Sequence, residues 1–245
     1  MRIITGLIGL AALCVAGLAA AGSPADGTTA ARFDVRLIGV KLGEMTLAGR
    51  IDGGDYMVQS TFSTRGIVGA VARAGFDLTA RGRVTATGFI PEHYNESIDT
   101  GRRASSARLR YRGGVPRIIG GTLATAVPDP GEVPLDPARE GGTLDPLTAV
   151  FAVLHDQPAA TLCQTDVTIF DGARRSRITM TGRAEAGDEV ICSGSYRRLA
   201  GFSASELKRQ TVYPFSVRYS PGGGRMQARQ VTVRTTYGKA ELLRR

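Results

Sequence analysis

Histidine is nearly missing from this 245-residue chain, which holds only His93 and His155. A nucleophilic triad needs a positioned base, and a tetrahedral zinc site needs three or four His or Cys ligands at short spacing. Two distant histidines supply neither. Cysteine is equally sparse, at Cys14, Cys163 and Cys192, and no pair has the Cys-x-x-Cys spacing of a redox motif. Gly194-Ser195-Tyr196 lacks the rest of a nucleophile elbow, and Gly238-Lys239 is followed by Ala240 instead of a phosphate loop's hydroxyl residue. The acidic pairs Asp188-Glu189 and Asp129 with Glu132 fall in predicted turns, where carboxylates are normally solvated. No residue is therefore assigned a catalytic, cofactor-binding or metal-binding role. Lysine occurs only at 41, 208 and 239, so nearly all the positive charge is arginine.

Only one apolar run is long, the uncharged stretch from Ile3 to Ala21 that follows Met1 and Arg2. Small residues at Ala19 and Ala21, then Ser23, Pro24 and Asp26, complete a signal-peptide profile with expected cleavage near Ala21. Two alternatives stay open: an uncleaved anchor, since the run just reaches bilayer-spanning length, and lipid attachment at Cys14, which follows Leu13 where a small residue is usual. Export to a periplasm is the expectation. The net charge of +9 falls to about +8 without residues 1–21, because only Arg2 is lost. That surplus reads as a solvated arginine-rich surface or as affinity for acidic polymers or, peripherally, for an anionic membrane surface. Nucleic acid is not an expected partner of an exported chain without a binding motif. An oxidising compartment favours a Cys163–Cys192 bridge, which would stabilise the fold by about 3–4 kcal/mol in the chain-entropy model.

What the chain has is period-two patterning. Phe33, Val35 and Leu37 alternate with Asp34 and Arg36; Met45 and Leu47 follow a glycine turn; Asp52-Gly53-Gly54 leads into Tyr56, Val58 and Ser60. These are antiparallel strands with one wet face. Similar patterns recur at 76–84, 91–98, 163–170, 176–182, 189–199, 213–219, 227–236 and 239–243, and Pro214 favours an edge position for its strand. In Ala107 to Arg112, Arg108, Arg110 and Arg112 all fall on one face, a candidate surface for an anionic partner.

Two helices interrupt this rhythm. Residues 66–74 carry apolar side chains at helical spacing behind Ser63 and Thr64. Asp145-Pro146 is a capped helix start, and Leu147, Val150, Phe151 and Leu154 form one apolar stripe ending near His155, where a partly charged imidazole would suit the negative dipole end. His93, on a strand, reads as structural. Residues 22–31 read as a flexible N-terminal segment, residues 113–142 as a loop, and residues 32–245 as a single β-rich domain.

Several separated segments together carry a family likeness: Gly43-Glu44-Met45, Thr64-Arg65-Gly66, Asp145-Pro146-Leu147, Phe170-Asp171-Gly172, Cys192-Ser193-Gly194-Ser195-Tyr196 with Gly201-Phe202, and Thr236-Tyr237-Gly238. The chain resembles the exported bacterial proteins grouped as domain of unknown function 3108. The resemblance implies a secreted antiparallel β domain, with a strongly curved sheet around a helix as in periplasmic lipoprotein carriers. It brings no catalytic residues.

The expected fold is mainly β: a strongly curved antiparallel sheet or incomplete barrel, with one central amphipathic helix and one short helix. The expected function is a non-catalytic periplasmic protein that binds a lipid-like or other apolar ligand between sheet and helix, or supports envelope integrity. The alternatives are a protein or cell-wall interaction module using the Arg108, Arg110 and Arg112 face, and a carboxylate hydrolase. No cofactor is expected.

Overall fold

The computed structural model describes residues 24–66, 69, 73–101, 104–125 and 131–245. They form one antiparallel sheet of thirteen strands: β1 (Gly27–Leu37), β2 (Val40–Asp52), β3 (Asp55–Thr64), β4 (Gly75–Thr85), β5 (Gly88–Asp99), β6 (Ala104–Arg112), β7 (Val115–Gly120), β8 (Asp166–Phe170), β9 (Arg175–Ala186), β10 (Glu189–Ala200), β11 (Val212–Gly222), β12 (Arg225–Thr235) and β13 (Gly238–Arg244). Two helices are described, α1 (Pro146–Leu154) and α2 (Ala204–Arg209). Most of the short helix expected over 66–74 lies outside the described residues.

The spatial order is β7-β6-β5-β4-β3-β2-β1-β13-β12-β11-β10-β9-β8. Each hairpin places the next strand beside the last, except that β13 returns to pair with β1. The chain thus walks outward from β1 to one end of the sheet, then reappears as β8 at the other end. The sheet is not closed into a barrel, since β7 and β8 do not pair with each other. The crossing segment ties the two ends together: Gly142 N donates to Gly114 O in the β6–β7 turn, Leu144 N donates to Thr168 O, and Phe170 N donates to Leu144 O, each at 2.9 Å.

α1 lies on this crossing, inside the curl. Asp145 caps it by accepting from Thr148 N at 2.9 Å, with Pro146 at the first helical position. The stripe expected to be buried is buried or half-buried, but burial extends around the helix to Thr148, Ala149 and Val153. No residue from Thr143 to Pro158 is exposed. A helix wrapped by β3, β4, β5 and β8 must be apolar nearly all round, and its one buried hydroxyl, on Thr148, is satisfied by Tyr56 and Asp145.

Several local expectations need correction. Residues 27–31, expected to be flexible, belong to β1, with Thr29 and Ala31 facing the core. Their small side chains hide the alternation, and Thr29 is held by the hydrogen bond its hydroxyl accepts from Asp156 N at 2.8 Å. The region 113–142 is not all loop: β7 and short 3-10 turns at Thr122–Ala124 and Pro137–Arg139 interrupt it, while 126–130 lie outside the described residues. Strand β8 begins only at Asp166, so Cys163 sits before it in a turn, at a left-handed φ of 65°. Its bond to buried Cys192, with a Cα–Cα separation of 5.1 Å, fastens the segment after α1 to β10. Pro214 is on an internal strand, between β10 and β12, and is tolerated because it lies one residue outside the β11–β12 ladder.

Candidate functional site

The space between sheet and helix is packed. Phe33, Leu47, Tyr94, Leu109, Leu147, Phe151, Phe170 and Tyr219 are all at most 1% exposed. Phe151 stacks against Tyr56 and meets Phe89 edge to face, and Tyr219 Oη donates to the Val153 carbonyl at 2.7 Å. Side chains of sheet and helix thus fill the place expected for an apolar guest.

The buried polar groups serve the fold. Tyr56 Oη and Thr148 Oγ1 lie 2.7 Å apart, and Thr148 Oγ1 donates to Asp145 Oδ2 at 2.6 Å. Burial pushes the Asp145 carboxyl up to about 6, against the lowering effect of its Thr148 hydrogen bonds. Glu96, which accepts from Tyr94 Oη at 2.6 Å, is also raised to about 6 by burial. Asp171 binds the Ala173 and Arg174 main-chain N–H groups of its own turn. None of these carboxylates lines the surface depressions described below. Of the acidic pairs noted in turns, Glu132 binds Arg174 and Glu189 binds Arg218, while Asp129 lies outside the described residues.

His155 does not carry the helix-end charge expected of it. It is 5% exposed, its Nδ1 donates to the Phe151 carbonyl at 2.9 Å, and burial lowers its pKa toward the neutral form. The loss of hydration outweighs the dipole's attraction for a cation.

The outer face of β1 to β7 is different. Register aligns Thr28, Arg50, Met57, Arg81, His93, Arg110 and Arg117 as one row across seven strands. A second row, two residues along, runs Ala30, Ala48, Gln59, Thr79, Asn95 and Arg108. Arg108 and Arg110 of the predicted arginine face therefore belong to two rows that begin at Ala30 and Thr28 on β1. Between the rows opens a trough of about 580 Å³, from Thr28 and Ala30 through Ala48 and Met57 to His93 and Asn95. Met57 is 54% exposed on its floor.

A second depression of about 610 Å³ adjoins it, lined by Arg83, Glu92, His93, Arg110 and Arg112. His93 lines both. Its imidazolium is disfavoured by burial, then by the Arg81 and Arg110 guanidiniums on the flanking strands. Arg81, Arg108, Arg110, Arg112 and Arg117 make no ion pair among the described residues, whereas Arg50 and Arg83 are offset by Asp52 and Glu92. Glu92 is the extra residue of a β-bulge, which places it beside Arg83.

The structure keeps Arg108, Arg110 and Arg112 together on one exposed face, as alternation implied. Sequence reading missed Arg50, Met57, Arg81 and Arg117, and it gave His93 no role beyond structure. Alternation marks each as facing outward, but only register shows that they share a row.

The family model described as "Protein of unknown function (DUF3108)" matches residues 32–212. The chain belongs to this family. The DUF3108 match runs from β1 to the start of β11, so it includes the buried helix, the bridged cysteines and most of both outer rows. Among solved structures, the DUF3108 chain is similar to a β-barrel-like protein of domain of unknown function DUF1849 from Brucella abortus, at 13% identity over 89% of this chain and 95% of that one, with a TM-score of 0.48. A search of the curated proteins finds no match.

Proposed function

We propose that this chain works outside the cytoplasm as a non-catalytic envelope protein that holds a lipid-like, anionic amphiphile on the outer face of its sheet. The observation that carries this reading is the trough, which sets an apolar floor of Ala30, Ala48 and Met57 beside Arg81, His93 and the unpaired Arg110. Apolar area favours an acyl chain, while clustered guanidiniums favour a phosphate or carboxylate head group and disfavour a neutral one. The leader-like residues 1–21 support a place in the envelope.

The test starts with native mass spectrometry of protein purified from its own envelope, followed by displacement of a fluorescent fatty-acid probe. Met57→Asp is expected to weaken probe binding roughly tenfold by placing charge against an acyl chain. Arg110→Glu should weaken an anionic probe and spare its neutral alcohol analogue. Absence of both a co-purifying lipid and probe binding would reject the reading.

The exposed Arg108, Arg110 and Arg112 also favour a second reading, an interaction module for an acidic protein or cell-wall polymer. Capture of such a partner that survives charge reversal at all three positions would remove that face from consideration.

A further inference from the structure

Seven large apolar side chains are exposed among the described residues, and three of them, Ile38 at 69%, Val40 at 57% and Tyr237 at 68%, lie at one end of the molecule. Ile38 and Gly39 form the β1–β2 turn, and Tyr237 is in the β12–β13 turn. Pairing of β1 with β13 sets the two tips side by side: Ile38 N donates to Lys239 O at 2.8 Å, and a Cβ on Gly238 would come within 2.8 Å of Ile38 Cγ1.

Ile38 is a costly choice at its position. Its φ is 51° and that of Gly39 is 80°, the left-handed pair of a two-residue hairpin turn. Asn or Gly suits the first of these positions, and a β-branched residue resists it. The isoleucine gains nothing from burial to offset that cost. Residues that oppose local stability and face solvent point to contact with something outside the molecule.

We propose that the paired tips carrying Ile38, Val40 and Tyr237 dip into the interface of an anionic bilayer. The tips are convex, so they suit a deformable surface better than a rigid partner pocket. Their rim carries Lys41, paired with Asp34 and Glu44, Lys239, paired with Glu241, and Arg234, which is exposed without an acidic partner among the described residues and leaves the positive charge in excess next to the turns. A tyrosine and isoleucine above lysines match the depth profile of a bilayer interface, and the chain's net charge of +9 adds long-range attraction to acidic lipid. This site lies at the opposite end of β1 from the trough and does not depend on it.

The experiment is sedimentation with vesicles of phosphatidylglycerol and phosphatidylcholine, or of phosphatidylcholine alone. Wild type and variants are used as recovered from the envelope, so residues 1–21 contribute equally. Ile38→Asn relieves the backbone strain, so it is expected to raise the melting temperature while lowering the partition coefficient onto acidic vesicles roughly fivefold or more. Tyr237→Ser should lower partition similarly without the gain in stability. The chain has no tryptophan, so Ile38→Trp supplies a single local reporter whose emission should move to shorter wavelength on acidic vesicles. Equal partition of wild type and Ile38→Asn, or unmoved emission, would overturn the proposal. A dimer in sedimentation velocity that Ile38→Asn disperses would overturn it in favour of a second copy of this chain.

Discussion

Arg244 on the last strand and Asp156 just beyond α1 form a 2.7 Å ion pair with both side chains nearly buried, at 5% and 9% exposure. Asp156 Oδ2 also accepts from Gln227 Nε2 at 3.0 Å, and Asp156 N donates to Thr29 Oγ1. One residue therefore joins the helix exit to β1, β12 and β13. Removing a single partner leaves a buried charge unpaired. Asp156→Ala or Arg244→Met should cost about 3–5 kcal/mol in urea unfolding, and the double variant less than the sum. Additive single effects would show that the pair is not coupled.

Gly49 and Phe151 are matched across the sheet–helix interface. A Cβ on Gly49 would lie 2.5 Å from Phe151 Cε2, so the ring must move to admit even a methyl group. Gly49→Ala is expected to destabilise by about 1–3 kcal/mol, and Phe151→Leu in the same chain to recover part of it. Thermal unfolding of the four chains of this cycle measures the coupling. No recovery in the double variant would place the strain elsewhere.

Asp145 should give a pH dependence of definite sign. Its carboxyl is raised from 3.8 to about 6 by burial, so the folded state prefers the protonated form. This preference has no effect below pH 3.8, where both states are protonated, and becomes a full penalty of about 3 kcal/mol above pH 6. Asp145→Asn removes the penalty, so the stability difference between variant and wild type should move toward the variant as pH rises from 4 to 7. His155 works the other way, because its lowered pKa destabilises the fold as pH falls below 6.5. The paired comparison cancels that contribution, and a flat difference would contradict the burial account.

The Cys163–Cys192 bridge closes a segment whose ends are 29 residues apart. Its loss in Cys163→Ala/Cys192→Ala should remove about 3 kcal/mol and lower the melting temperature by about 10 °C. Scanning calorimetry with and without reductant would measure this. An unchanged midpoint would mean that packing around Cys192 already holds the segment.

Legibility in the sequence followed the range of the forces involved. Alternation over Met45 to Gly49 and Ala107 to Arg112 announced one-sided strands, because the backbone itself puts successive side chains on opposite faces, whereas that over Phe33 to Leu37 announced a strand whose residues 34–37 are half-buried on both faces. The Asp145-Pro146 cap announced α1, since capping is settled within one turn. The cysteine pairing followed from there being two cysteines beyond the leader-like stretch.

Other features needed the whole chain. Whether α1 would be wetted on one side depended on how tightly the sheet curls, and the curl belongs to thirteen strands together. β1 was obscured at Thr28 to Ala31 because small side chains carry little hydropathy signal, and β2 and Asp156 decide its conformation.

By itself, the sequence determined the in-and-out alternation of strands such as Met45 to Gly49 and Ala107 to Arg112, where the central helix begins, and that the chain carries a surplus of arginine. Only the tertiary structure decided that Met57, Arg81, His93 and Arg110 share one row, and that the turn tips carrying Ile38 and Tyr237 lie side by side. Those neighbours are from about a dozen to nearly two hundred positions apart, and register, the property that unites them, arises only when strands pair.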